Sequence, residues 1–319
     1  MKPDLRRRRA TYRLPFPNHL IRSHVHLFAL LCLIILLSPL EAPAQDKLLF
    51  ALAYGKIYLA DISDDGMNIQ NIRYLTKGYH PSWSPDGRRI SFDEFSQSGN
   101  IYVMNLDDKT PHLLIRGGAE TDWSPDGERI AFLASKPSRL CIADARGKIL
   151  QEIPGIWFWP RWSPDGESLA SVNFVEESIF ILDMETGERR QITARGSYGP
   201  LDWSWSKNLI AYMDYISESK TWDIVVITPE GKLINRYHLG PFFSPSISWS
   251  PRGDHIIFLK ERVDSSLPYV LDLRTGEVKS VSRKGQVWCW VDWLGGYTAV
   301  RPLNLLNTLW SLIKRGEVK

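Results

Sequence analysis

The sequence predicts an all-β fold, a six-bladed β-propeller of four-stranded antiparallel blades closed by strands from both ends of the chain. Three observations carry this expectation. First, the pentapeptide Trp83-Ser84-Pro85-Asp86-Gly87 returns at Trp123 to Gly127 and Trp162 to Gly166, with altered copies at Trp203-Ser204 and Trp249-Ser250-Pro251 and a trace at Trp293. Second, these tryptophans lie 40, 39, 41, 46 and 44 residues apart, the sustained period of a repeat array. Third, each interval holds short apolar strands punctuated by glycine and aspartate turns, and no stretch shows convincing helical periodicity apart from residues 303–314.

The repeated pentapeptide has a local explanation. Serine, proline and glycine at the first, second and fourth positions suit a type I turn, and aspartate is tolerated between them. The tryptophan before the turn is large enough to fill the space between neighbouring sheets. Turn chemistry therefore accounts for Asp86, Asp126 and Asp165 better than a role as acids or metal ligands.

The chain has 319 residues, enough for two ordinary domains or one large repeat domain, and the repeats favour one. Its net charge of +3 is misleading, because residues 1–44 hold seven Lys/Arg against two Asp/Glu and leave −2 for the rest. No basic patch points to nucleic acid. Of the three cysteines, Cys32 falls in the leader, and Cys141 and Cys289 sit in apolar runs that suit buried free thiols better than a disulfide.

Residues 1–24 are basic, residues 25–40 are nearly all apolar, and Ala42-Pro43-Ala44 supplies small residues before Gln45. This is the pattern of a secretory signal peptide over residues 1–44, cleaved after Ala44. The expected location is periplasmic or secreted. An uncleaved signal anchor is the alternative and the only expected contact with a membrane.

From Lys47 onward three strands follow, broken by Gly55 and by Asp64-Asp65-Gly66. Asp61, Ser63, Asp65 and Gly66 imitate the opening of a calcium loop, but the twelfth position is Ile72, so a polar loop is the better reading. Five complete units open at the tryptophans from Trp83 to Trp249. The N-terminal strands lack an innermost partner, and residues 287–293 offer one. Pairing them closes the ring and removes its open edges, giving a propeller over residues 45–296 with a tail or last strands at 297–319. A partial seventh blade built from residues 297–301 and 309–313 is the alternative.

These units, with their following Ile-Ala-Phe and Ile-Tyr-Val-Met-Asn strands, resemble the WD-like repeats of TolB-type propellers over about residues 47–293. The resemblance implies an exported bacterial propeller. TolB itself is periplasmic, binds a peptidoglycan-associated lipoprotein, and carries an additional N-terminal α/β domain. Here the first strand follows the expected cleavage site almost at once, so the expectation is a relative other than TolB, with its own partner.

Similar propellers cap serine peptidases, but the Gly-x-Ser-x-Gly motif of their catalytic domain does not occur. Others form metal-dependent lyases with a histidine cluster, whereas only His80, His112, His238 and His255 lie in the body, and only His80 at a channel-facing position. The reading therefore leans away from an enzyme and calls for no cofactor or metal.

Segments entering each innermost strand should ring one mouth of the channel, opposite the uniform turns. They are rich in aromatic residues, which give large contact areas at low entropic cost. The candidate ligand-binding residues are Tyr79, His80, Glu120, Trp157, Trp159, Tyr198, Phe243 and Trp288. A protein or peptide is the expected ligand. The alternative is a carbohydrate, bound or degraded at the same mouth, with His80 and Glu120 available for acid–base work.

Overall fold

In a computed structural model of the protein, the described residues are 46–294, except 53–54, 64–66, 95–98, 137, 197–198, 242–243, 245, 263–264 and 282–287. The expected signal peptide, the tail after residue 296 and the strands of a seventh blade lie outside them.

Six four-stranded antiparallel sheets form the propeller. The N-terminal strands are β1 (Lys47–Leu52), β2 (Lys56–Ile62) and β3 (Ile69–Lys77). Blade 1 follows as β4 (Tyr79–Trp83), β5 (Arg89–Asp93), β6 (Asn100–Asn105) and β7 (Pro111–Arg116). Blade 2 is β8 (Gly118–Trp123), β9 (Arg129–Ser135), β10 (Ser138–Asp144) and β11 (Ile149–Pro154). Blade 3 is β12 (Trp157–Trp162), β13 (Ser168–Asn173), β14 (Ser178–Asp183) and β15 (Arg189–Gln191). Blade 4 is β16 (Leu201–Ser204), β17 (Leu209–Ile216), β18 (Thr221–Ile227) and β19 (Leu233–Gly240). Blade 5 is β20 (Ile247–Trp249), β21 (His255–Arg262), β22 (Ser265–Asp272) and β23 (Val278–Ser280). The last strand, β24 (Trp288–Leu294), pairs with β1 and completes blade 6 in the order β24-β1-β2-β3. The closure is the one read from the sequence, shifted by one residue.

The closing strand is held on both sides. Lys47 to Ala51 pair with Leu294 to Trp290 in register, and Trp288 stacks on Phe50 with ring centroids 3.8 Å apart. On the other side the Asp292 carboxylate accepts the backbone N–H of Trp83 in blade 1 at 2.8 Å.

The turns behave as their residues dictate. Gly87 N–H donates to the Ser84 carbonyl at 2.9 Å and has φ +66°, a conformation that glycine adopts without cost. Ser84 Oγ donates to Asp86 Oδ1 at 2.6 Å and accepts from Arg89 N–H at 2.9 Å. The same bonds recur around Ser124 with Asp126 and around Ser163 with Asp165. Asp254 replaces the turn aspartate in blade 5, bonding Ser250 Oγ at 2.8 Å.

The turns also stitch blades together. Arg89 reaches the Gly127 carbonyl and lies 4.6 Å from the centre of the Trp123 ring, and Arg129 reaches the Gly166 carbonyl, 4.5 Å from the Trp162 ring. The core lies in the seams between blades, where most repeat tryptophans are at most 5% exposed. Both body thiols are free: Cys141 is buried, while Cys289 is only half-buried.

Candidate functional site

The innermost strands of blades 1, 2 and 3 each carry a bulge before their tryptophan. In blades 1, 2 and 3 the pairing skips between Tyr79 and Ser82, Ala119 and Asp122, and Phe158 and Arg161. The residue three positions before the tryptophan then has a positive φ: 44° at His80, 52° at Glu120 and 51° at Trp159. Such a conformation costs a non-glycine residue of order 1 kcal/mol and persists only where its surroundings hold it.

Here hydrogen bonds do the holding, within the blade for His80 and from the preceding blade for Glu120 and Trp159. Asp93, 3% exposed at the end of β5, accepts the Glu120 N–H at 3.0 Å and bonds His80 Nδ1 at 2.8 Å. Glu120 in turn accepts the Trp159 N–H through Oε2 at 3.2 Å. His80 and Glu120, expected among the mouth residues, are thus half-buried and tied to Asp93. Burial lowers the His80 pKa, but the hydrogen bond and charge of Asp93 outweigh it and leave the imidazole above its ordinary value. Burial raises the Glu120 carboxyl, against the charge of His80.

In five of the six blades the residue just before the tryptophan bonds to the next blade. Asp122, Asp202 and Asp292 each accept the backbone N–H of the following blade's tryptophan at 2.8 Å, and Ser248 does so at 3.1 Å. In blade 3 the position is Arg161, whose side chain is 11% exposed and bonds Asp202 at 3.2 Å. Burial pushes the Asp122 carboxyl up to about 8, with Arg161 opposing and Asp202 and Asp292 adding to the rise. Burial likewise lifts Asp292 to about 6 and raises Asp202. Burial disfavours the Arg161 cation, but Asp122 and the other carboxylates raise its pKa overall. The three aspartates line a cavity of about 50 Å³ together with Trp83, Trp203, Trp249 and Trp293, room for more than one water. Among the described residues no group of three or more His, Cys, Asp or Glu is arranged to hold a metal ion.

The mouth is apolar on one side. The loop from β13 to β14 exposes Phe174 (54%) and Val175 (65%), next to Ile156 at 39%. Phe158 packs edge-on to Phe174 at 5.7 Å and against Trp159 at 5.5 Å. The loop is fixed: Asn173 Oδ1 accepts the N–H groups of Val175 and Glu176, and Phe174 N–H donates to the Ile156 carbonyl at 2.9 Å.

Among curated proteins, the chain is 29% identical to a TolB homologue of Chlorobium luteolum over 120 residues, 38% of this chain and 27% of that protein. The aligned part thus spans about a quarter of that relative's length. Among solved structures it superposes on TolB from Acinetobacter baumannii with a TM-score of 0.66, at 18% identity, covering 88% of this chain and 74% of that one. A putative TolB from Agrobacterium tumefaciens gives 0.58 at 17% identity, covering 79% and 98%. This chain folds as a TolB-type β-propeller. A chain of a nidogen/laminin complex also matches, with a TM-score of 0.65 at 13% identity over 79% of this chain and 99% of that one. No protein-family model matches.

Within this TolB-type propeller the eight expected mouth residues separate. Tyr79, His80, Glu120 and Trp159 are half-buried, the last three at the bulges with positive φ. Trp157 and Trp288, each 2% exposed, instead pack inside seams: Trp157 edge-on to Phe180 at 6.0 Å, and Trp288 on Phe50. They offer a ligand no surface. Tyr198 and Phe243 lie outside the described residues. Sequence reasoning missed Phe174, Val175, Arg161 and the three channel aspartates. The last were signalled by the recurring pairs Asp122-Trp123, Asp202-Trp203 and Asp292-Trp293.

Proposed function

We propose that the protein is an exported, non-enzymatic binding module of the bacterial envelope that holds a protein or peptide at the channel mouth. The observation that carries this reading is the surface made by Ile156, Phe158, Phe174 and Val175 beside Trp159. Four of these side chains are apolar, three are well exposed, and backbone bonds fix the loop that presents them. Apolar side chains held ready in one conformation lose little entropy on binding, which is what a recognition surface needs. The leader and the likeness to TolB support an extracytoplasmic location. The presence of a similar propeller in a nidogen/laminin complex supports a protein as the partner.

A photo-crosslinking amino acid at Phe174, compared with one at Glu128 on the turn face, tests the proposal in intact cells. A discrete crosslinked protein from position 174 alone, lost with Trp159→Ala, is expected. Equal crosslinking from both faces would remove the mouth from consideration. Binding or turnover of uronate oligomers that disappears in His80→Ala would replace a peptide by a carbohydrate.

A further inference from the structure

The seam between blades 1 and 2 is built unlike four of the other five. In every blade one residue of the third strand faces the preceding blade, and in five blades it is Tyr58, Tyr102, Phe180, Val225 or Tyr269. The four aromatic examples that pack on a neighbouring ring do so closely. Tyr58 lies 5.5 Å from Phe50, Tyr102 5.8 Å from Phe92, Tyr269 6.0 Å from Phe258, and Phe180 6.0 Å from Trp157. In blade 2 the same position is Cys141, paired with Phe132 across the sheet. A thiol stands where the neighbours place a ring, and the rest of the blade 2 face is small, with Ala134 and Ala143.

The missing volume is not made up. A cleft of about 390 Å³ opens between the blades, within the size range of small-molecule sites. Its apolar lining comes from Leu114, Phe132, Ala134, Cys141 and Ile149. Its charged lining is entirely cationic: Arg116, Lys136 and Arg139. Arg139 is paired with Glu152 at 3.1 Å, whereas Arg116 and Lys136 are exposed and have no ion pair among the described residues.

We propose that this cleft binds a small amphiphilic anion, a carboxylate on an acyl chain or ring whose apolar body takes the place of the absent aromatic side chain. The body would be removed from water against Leu114 and Ile149, and the carboxylate would meet Arg116 and Lys136 at the opening. This site is separate from the channel mouth and stands or falls independently of the peptide reading.

Calorimetric titration of the whole protein with dodecanoate, dodecan-1-ol and dodecyltrimethylammonium tests it. Dodecanoate should bind saturably at one site, about tenfold or more tighter than the alcohol, with the cation weakest. Cys141→Phe, which restores the ring, should abolish binding without lowering the melting temperature. The double variant R116E/K136E should weaken dodecanoate about tenfold and leave the alcohol unchanged. The charge variant alters only exposed positions, so it decides the matter even if Cys141→Phe fails to fold. No saturable binding, equal binding of all three amphiphiles, or affinity for dodecanoate unchanged in the charge variant would overturn the proposal.

Discussion

The guanidinium of Arg161 in blade 3 lies 5.8 Å from the centre of the Trp290 ring in blade 6, directly across the propeller. Trp290 also meets His80 of blade 1 edge-on at 4.8 Å. Below its mouth the channel is therefore bridged by side chains from three blades. One cation there serves Asp202 directly and Asp122 and Asp292 through space.

Replacing Arg161 with methionine keeps the side chain's bulk and removes its charge. Asp202 would then be left largely buried without its ion partner, a loss worth about 3 kcal/mol. Thermal denaturation should show a large drop in Tm, partly restored in the double variant R161M/D202N. An unchanged Tm would mean that the carboxylates already sit protonated or hydrated independently of Arg161.

The channel aspartates should make stability depend on pH. Asp122 and Asp292 titrate in the folded protein near 8 and 6, above the ordinary carboxylate value of 3.8. The folded state then binds more protons than the unfolded state between these limits, so stability is greatest below about pH 4 on this account and falls as pH rises to about 8. Asp122→Asn, which keeps an acceptor for Trp162 N–H, should flatten the decline. Each kcal/mol recovered at pH 8 corresponds to about 2–4 °C in a domain of this size. Melting curves from pH 4.5 to 8.5 (about the span of the two titrations) provide the check.

The inter-blade arginines predict a smaller effect. Arg129 covers Trp162 and bonds the Gly166 carbonyl at 3.1 Å, so Arg129→Ala should cost about 1 kcal/mol. Chemical denaturation should show the midpoint falling with an unchanged slope. A lower slope would instead indicate that the blades part separately.

Cutting the chain after Gly285 removes β24. The stacking partner of Phe50, the acceptor of Trp83 N–H and the pairing edge of β1 all go with it. Exposed strand edges and core favour aggregation, so this product should be insoluble or melt far lower. A cut after Arg301 keeps every described strand and should be tolerated. A soluble, cooperatively melting product of the first cut would contradict the role given to β24.

Much of the fold could be read from the sequence because each blade repeats its own instructions. The Ser-Pro-Asp-Gly turns and the tryptophan spacing marked the strand ends, and the unpaired N-terminal strands called for residues near Trp293. The mouth was harder to read. Trp157 and Trp159 look alike in sequence, as do Trp288 and Trp290. The bulge between them breaks the two-residue alternation of a strand, so Trp157 shares a seam with Trp162 although five residues separate them. Without the bulge, alternation would have sent Trp157 to the wrong face. Arg161 was invisible for another reason: its meaning depends on Asp202 and Trp290, 41 and 129 residues away, which only the closed ring brings near.

The pairing of Lys47 with Leu294 has a consequence for how the molecule is held. Leu294 lies against Gly87, so this pair sits among the Ser-Pro-Asp-Gly turns, on the side away from Phe174 and Val175. The first residue of β1 and the last of β24 thus lie side by side on that face. A support joined to the propeller at Lys47 or Leu294 would grip it from behind, like a handle, and turn its aromatic surface outward.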